Sequence, residues 1–234
     1  MIDYFRKSDL AIAYAKAMRP KMQAIARPLF LNTEINSFSY IKFFKDGTVL
    51  NLSTDMQWIE FRFEAQIPYR ILFEDHLKGL KLNQPHIYLW PTKANSPLLA
   101  ALKSFEIWNG CNIYITNKEY IEVFSFASAV ENINLQNYCI NHFDLLKGFI
   151  VSFKHEMLSE LGCLRKENKI IADVAFPDQL REKPSVMGES YFSFTKKPKK
   201  IRLNEAVILS LKECQCVHLL LAGNTAKEIA SQLY

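Results

Sequence analysis

Apolar positions along this chain recur with two different periods, and the switches between them outline its elements. In residues 8–25, SDLAIAYAKAMRPKMQAI, the spacing is helical, and Pro20 predicts a break into two helical pieces. SFSYIKFFKDGTVLNLS then places aromatic and β-branched residues on both sides of Asp46-Gly47, which predicts a hairpin of two antiparallel strands. In TDMQWIEFRFEAQ, Thr54 or Asp55 is a candidate helix cap, and Pro68 in PYRILFEDHLKGL marks the start of another helix. HIYLW reads as a short strand, and SPLLAALKSFEIW as a helix with Ser96 as cap and Pro97 at its first position. CNIYIT and YIEVFSFAS predict two strands joined across Asn117-Lys118. Over 135–162, Leu135, Tyr138, His142, Leu145, Phe149, Phe153 and Met157 recur at helical spacings, predicting one long amphipathic helix that stops at Gly162.

This order of elements predicts an α+β fold for residues 1–164, an α-β-α sandwich around a mostly antiparallel five-stranded sheet. From 165 to 204 the pattern gives way to charge and to Pro177, Pro184 and Pro198, the composition of a linker, with a short strand or turn in IIADVAF. Periodicity returns in residues 205–234 as an all-α unit. Ser210 and Glu213 form a capping box, Cys214, Val217 and Leu221 share a face, and Gly223 ends the helix. Thr225 and Glu228 form a second capping box, and Ala226, Ile229, Ala230 and Leu233 supply a face that can pack on the first helix.

Composition narrows the class. A chain of 234 residues with 49% hydrophobic and 23% charged residues can bury a core and resembles a soluble globular protein. No apolar run is long enough to cross a bilayer, and MIDYFRKSDL lacks the layout of a signal peptide, so the expected location is the cytoplasm, with no membrane partner. The five cysteines form no spaced framework, which fits reduced thiols. Lys196, Lys197, Lys199, Lys200 and Arg202 account for the net charge of +5, so the basic character is one segment rather than a face. Such a segment can touch phosphates or can be a solvated linker.

Candidate catalytic and metal chemistry is sparse. Cys214, Cys216 and His218 have the residue types of a metal site, but on a helix Cys216 diverges from the other two. Glu74, Asp75 and His76 are adjacent on a predicted helix, diverge likewise and read as solvated surface. His142 and His155 on the long helix read as packing residues. No metal, cofactor or enzymatic activity is expected, and a binding function is.

LSLKECQCVHLLLAGNTAKEIASQL resembles the first half of the LuxR-type helix-turn-helix, matching it at Leu209, Ser210, Glu213, Val217, Leu220, Gly223, Thr225, Lys227, Glu228, Ile229, Ala230 and Leu233. The resemblance makes Thr225 and Lys227, with Lys199 and Lys200 of the basic run, the candidate DNA contacts of a full-length form. The recognition helix of that family would follow Tyr234. The expectation is therefore either a longer regulator in trimmed form, or a short natural one that lacks DNA binding and inhibits full-length relatives by heterodimerisation.

The first 164 residues also resemble the autoinducer-binding domain of quorum-sensing LuxR regulators. Trp58 in MQWIEF corresponds to a pocket Trp, Trp90 in IYLW to the Trp that binds the ligand's ring carbonyl, and Gly110 in WNGCNIYI to the Gly before the fourth strand. The resemblance implies a small-molecule ligand and a homodimer. Two departures change the expected ligand: Arg62 stands where the family has Tyr, and IPYRILFED replaces the segment with the Asp that accepts the amide N–H of an acyl-homoserine lactone. Glu74 or Asp75 could stand in for that Asp in a shifted register. A ligand other than a standard acyl-homoserine lactone is expected. A buried Arg62 would need an anionic or more polar partner, and an exposed Arg62 would not. Trp58 and Trp90 suit a pocket wall and an ordinary core equally.

Overall fold

The computed structural model describes residues 2–77, 79–94, 96–172, 174–180, 200–202, 208–210 and 230. The chain divides into two units, Met1–Gly188 and Glu189–Tyr234.

The first unit opens with helix α1, Ile2–Asn32, which runs unbroken through Pro20 and Pro28. The expected break at Pro20 does not occur. Ala15, Met22, Ala26 and Leu29 recur along one stripe and are buried in the main core, and that burial offsets the lost backbone hydrogen bond. Strands β1 (Ser37–Phe44) and β2 (Thr48–Ser53) form the expected hairpin. Gly47, at φ 81°, takes the left-handed turn position, and Asp46 Oδ1 accepts from the Thr48 N–H at 3.0 Å.

Helix α2, Met56–Glu64, is capped by Asp55, whose side chain accepts from the Trp58 N–H. Helix α3 (Arg70–Leu77), strand β3 (His86–Leu89) and helix α4 (Pro97–Ser104) follow, with Ser96 as the α4 cap and Pro97 in its first turn. Strands β4 (Trp108–Thr116) and β5 (Tyr120–Ser128) are joined at Asn117, whose Oδ1 accepts from the Glu119 and Tyr120 N–H groups.

The expected long helix is three: α5 (Leu135–Asn141), α6 (Phe143–Glu156) and α7 (Leu158–Gly162), interrupted at His142 and Met157. Leu135, Phe153 and Met157 of the expected stripe are buried, and Tyr138 and Phe149 are half-buried against the core. The stripe also takes in Cys139, Leu146 and Ile150, whereas Leu145, His142 and His155 are exposed.

Six strands pair in the order β3-β4-β5-β1-β2-β6, each neighbouring pair antiparallel. The sixth, β6 (Ile170–Ile171), is the short strand expected in IIADVAF, and it joins the main sheet although the surrounding segment reads as a linker. Val174, Phe176 and Leu180, beyond β6, are buried with Phe43, Phe73 and Val123, so their apolar surface draws this stretch onto the sheet. The fold is the expected α+β class with one strand more.

Side chains alternate across the sheet. Phe38, Tyr40, Phe124 and Phe126 face α6, where Phe38 meets Phe153 edge-on at 5.1 Å and Tyr40 lies 5.1 Å from the same ring. On the opposite face Ile41, Phe43 and Val123 meet Tyr69 and Phe73. Layers on both faces bury every residue of β5 after its first, which accounts for its near-continuous apolar sequence.

In the second unit, β7 (Lys200–Arg202) pairs antiparallel with β8 (Ile208–Ser210). Lys200 therefore lies in a strand rather than in irregular linker. Ser210 ends β8, and Ala230 is helical but exposed, where the pattern assigned it to a packed face. Glu213, Thr225, Lys227, Lys199 and the Cys214-Cys216-His218 set lie outside the described residues.

Candidate ligand cavity

A row of small polar side chains crosses the sheet and leaves space above it. Ser39 on β1 is opposite Ser53 on β2 and Ser125 on β5; Ser125 is opposite Asn112 on β4, and Asn112 is opposite Tyr88 on β3. Because residues at matched register share a face, four strands contribute a Ser or Asn at the same level, where larger apolar residues would fill the layer. The space is a cavity of about 340 Å³, within the range of small-molecule sites. Helices α2 and α4 wall it with Trp58, Ile59, Leu98 and Leu102.

The floor is a closed hydrogen-bond network. Trp90 Nε1–H donates to Asn112 Oδ1 at 2.9 Å, and the Ser125 hydroxyl donates to the same oxygen at 2.8 Å. An indole N–H can only donate, so it fixes which way the Asn112 amide points. Asn112 Nδ2 then donates to the Tyr114 hydroxyl at 3.2 Å, and that hydroxyl is hydrogen-bonded to His76 Nδ1, 2.9 Å away. Burial lowers the His76 pKa to about 4, against a raising effect from Asp75 and a lowering one from His86. Burial also pushes the Tyr114 pKa up, keeping that hydroxyl protonated. The ring of His76 lies on that of Tyr88, with centroids 3.4 Å apart.

Trp90 is held from three sides. Its backbone N–H donates to the Gly110 carbonyl at 3.0 Å, and Gln136 Nε2 donates to its own carbonyl at 2.6 Å. A Cβ at position 110 would lie 3.0 Å from the indole and 2.5 Å from the Phe126 carbonyl oxygen, so only glycine fits. The bulge between Trp108 and Cys111 sets that approach, with Asn109 at φ 51° and its amide donating to the Val130 carbonyl at 2.8 Å.

Arg62 is 4% exposed and lines the cavity. Its guanidinium carbon sits 3.3 Å above the Tyr69 ring, Nη2 donates to the Ile67 carbonyl at 3.3 Å, and Nε has no partner among the described residues. Asn51 Oδ1, on β2 in the same wall, is also buried without a donor.

The structure thus brings Trp58, Arg62 and Trp90 to one cavity, with Gly110 behind Trp90. Trp58 also packs edge-on against Phe105 at 5.7 Å, so it serves core and wall together. Asp75 is exposed and outside the wall, whereas His76, read as solvated surface, belongs to it. Sequence reasoning missed Ser39, Asn51, Asn112 and Ser125. The available signal was a polar residue at alternate positions of otherwise apolar strands. Among the described residues no group of His, Cys, Asp or Glu could hold a metal, and no helix is long and apolar enough to cross a membrane.

The chain matches no protein-family model, and no curated protein matches it. Among solved structures it is similar to the N-acylhomoserine-lactone-dependent LuxR family transcription factor CepR2 from Burkholderia cenocepacia, at 13% identity and a TM-score of 0.42, over 67% of this chain and 93% of that one. It is also similar to Escherichia coli SdiA, at 13% identity and a TM-score of 0.41, over 94% of this chain and 76% of that one. SdiA in complex with octanoyl-rac-glycerol aligns at 12% identity and a TM-score of 0.40, over 94% and 75% of the two chains.

Proposed function

We propose that this chain is a small-molecule-sensing protein whose first unit binds its ligand in the cavity between the sheet and helices α2 and α4. The particular class we assign is a LuxR-like, ligand-responsive transcriptional regulator that acts by binding rather than catalysis. The observation that carries the reading is convergence: Trp58 and Trp90, chosen by resemblance, and Arg62, at a position where the chain departs from the family pattern, line one cavity, and Gly110 makes room for Trp90. The DNA-directed half rests on the sequence pattern at Ser210, Glu213, Gly223, Thr225, Lys227 and Glu228. A ligand seated there would act by favouring one arrangement of the protein over another, which requires different affinities for the two.

Native mass spectrometry of the purified full chain tests the sensing half. A retained or added small molecule at one per chain, lost on enlarging Gly110, supports it. A folded protein that binds no small molecule in this cavity removes the reading.

A further inference from the structure

The cavity wall contains one fixed cation and, among the described residues, no carboxylate. Arg62 is the cation; the other basic side chain in the wall, His76, is neutral near pH 7 because burial lowers its pKa to about 4. A guanidinium has five N–H donors and keeps its charge inside proteins. Among the described residues only one of these donors has an acceptor, a backbone carbonyl at 3.3 Å, and the stack on Tyr69 offsets part of the desolvation without neutralising the charge. Burying an arginine in this state is costly, and an anion bound beside it would offset that cost.

We infer that the ligand of this cavity is a monoanionic amphiphile, an apolar chain or ring carrying a carboxylate that pairs with Arg62. This rests on the cavity being the ligand site. A carboxylate suits one guanidinium because the two can form a forked pair of hydrogen bonds, whereas a doubly charged phosphate would find no second cation here. The apolar remainder of the ligand would lie against Trp58, Ile59, Leu98 and Leu102. The volume of about 340 Å³ lies at the lower end of the range of small-molecule sites.

The test uses the full chain and three probes of one length, decanoate, decan-1-ol and decanamide, with affinities read by calorimetry and by quenching of tryptophan fluorescence. Decanoate is expected to bind at least about tenfold more tightly than either neutral probe. Arg62→Met should remove that preference, and Arg62→Lys should retain part of it. Equal binding of acid and alcohol by the unaltered protein overturns the carboxylate assignment but leaves the ligand cavity standing. That comparison needs no variant, so a poorly folding Arg62→Met would not rescue the idea. Saturable binding of none of the three overturns the assignment and counts against the cavity reading as well.

Discussion

The indole N–H of Trp90 donates to Asn112 Oδ1 at 2.9 Å, joining the edge strand β3 to β4 beneath the cavity. Through this bond the floor network is connected: Trp90 fixes the Asn112 amide, Asn112 Nδ2 donates to the Tyr114 hydroxyl, and that hydroxyl is hydrogen-bonded to His76. A ligand that drew the indole N–H away from Asn112 would release the orientation of the Asn112 amide. The cavity therefore has an internal hydrogen-bond state that its occupant can change.

Asn112→Ala tests that connection. The substitution removes the acceptor of Trp90 and Ser125 and the donor to Tyr114, all beside a buried sheet position. Leaving buried donors unpaired costs about 1–3 kcal/mol each. The Ser125 hydroxyl can rotate to another acceptor, so a total loss of about 2–3 kcal/mol is expected in urea unfolding. Near-wild-type stability would show that water takes over the role of Asn112.

Gly110→Ala should cost more than helix or strand propensity alone. Its Cβ would meet the Phe126 carbonyl oxygen at 2.5 Å and the Trp90 ring at 3.0 Å. The first is backbone in a neighbouring central strand and cannot swing aside. Overpacking of this kind costs about 1–3 kcal/mol. Thermal melts should show the loss, and near-ultraviolet circular dichroism should show a displaced indole.

Much of the layout was legible in the sequence because it is local. Asp46-Gly47, Ser96-Pro97 and Asp55 each encode a turn or cap within a few residues, and each occurs as expected. The cavity floor was not legible, since Ser39, Ser125 and Asn112 meet only through the register of three separate strands. Arg62 illustrates the same limit. An arginine on a short helix is usually exposed, and its burial here depends on Tyr69, beyond the end of α2. The α5–α7 region shows that several apolar stripes can fit one segment, and which stripe is buried depends on the sheet, here on Phe38 and Phe124 meeting Phe153.

His76 gives the fold a pH dependence of definite sign. Its folded pKa of about 4 lies below the ordinary histidine value of 6.5. Between those values the unfolded chain binds a proton that the folded chain does not, so this residue makes stability fall as pH drops from about 6.5 toward 4. Its contribution is flat above that window. Groups near it are Asp75 and His86 by charge, with Tyr88 and Tyr114 in contact. His76→Asn keeps an acceptor for Tyr114 and removes the titration. The wild type should therefore lose more melting temperature between pH 7 and pH 5 than the variant; equal losses would remove His76 as the cause.

On the opposite face, Glu122 anchors α6 to the sheet. It is 1% exposed, accepts from the Tyr40 hydroxyl at 2.6 Å, and accepts from Lys154 Nζ at 2.5 Å. Burial and the neighbouring Glu122 charge push the Tyr40 pKa well up, so the hydroxyl remains a donor. Lys154→Met would leave the carboxylate buried with the Tyr40 hydroxyl as hydrogen-bond partner and Lys42, its register partner on β1, as the neighbouring cation. Breaking a fully buried pair from one side costs ~3–5 kcal/mol, and because the Lys154 side chain is 24% exposed the expected loss is about 2–3 kcal/mol. Glu122→Gln with Lys154→Met removes the buried charge while keeping an oxygen for Tyr40, and should recover at least half of the loss. Urea denaturation of the single and double variants measures both, and a double variant no more stable than Lys154→Met would show that the lysine acts through packing of its alkyl chain instead.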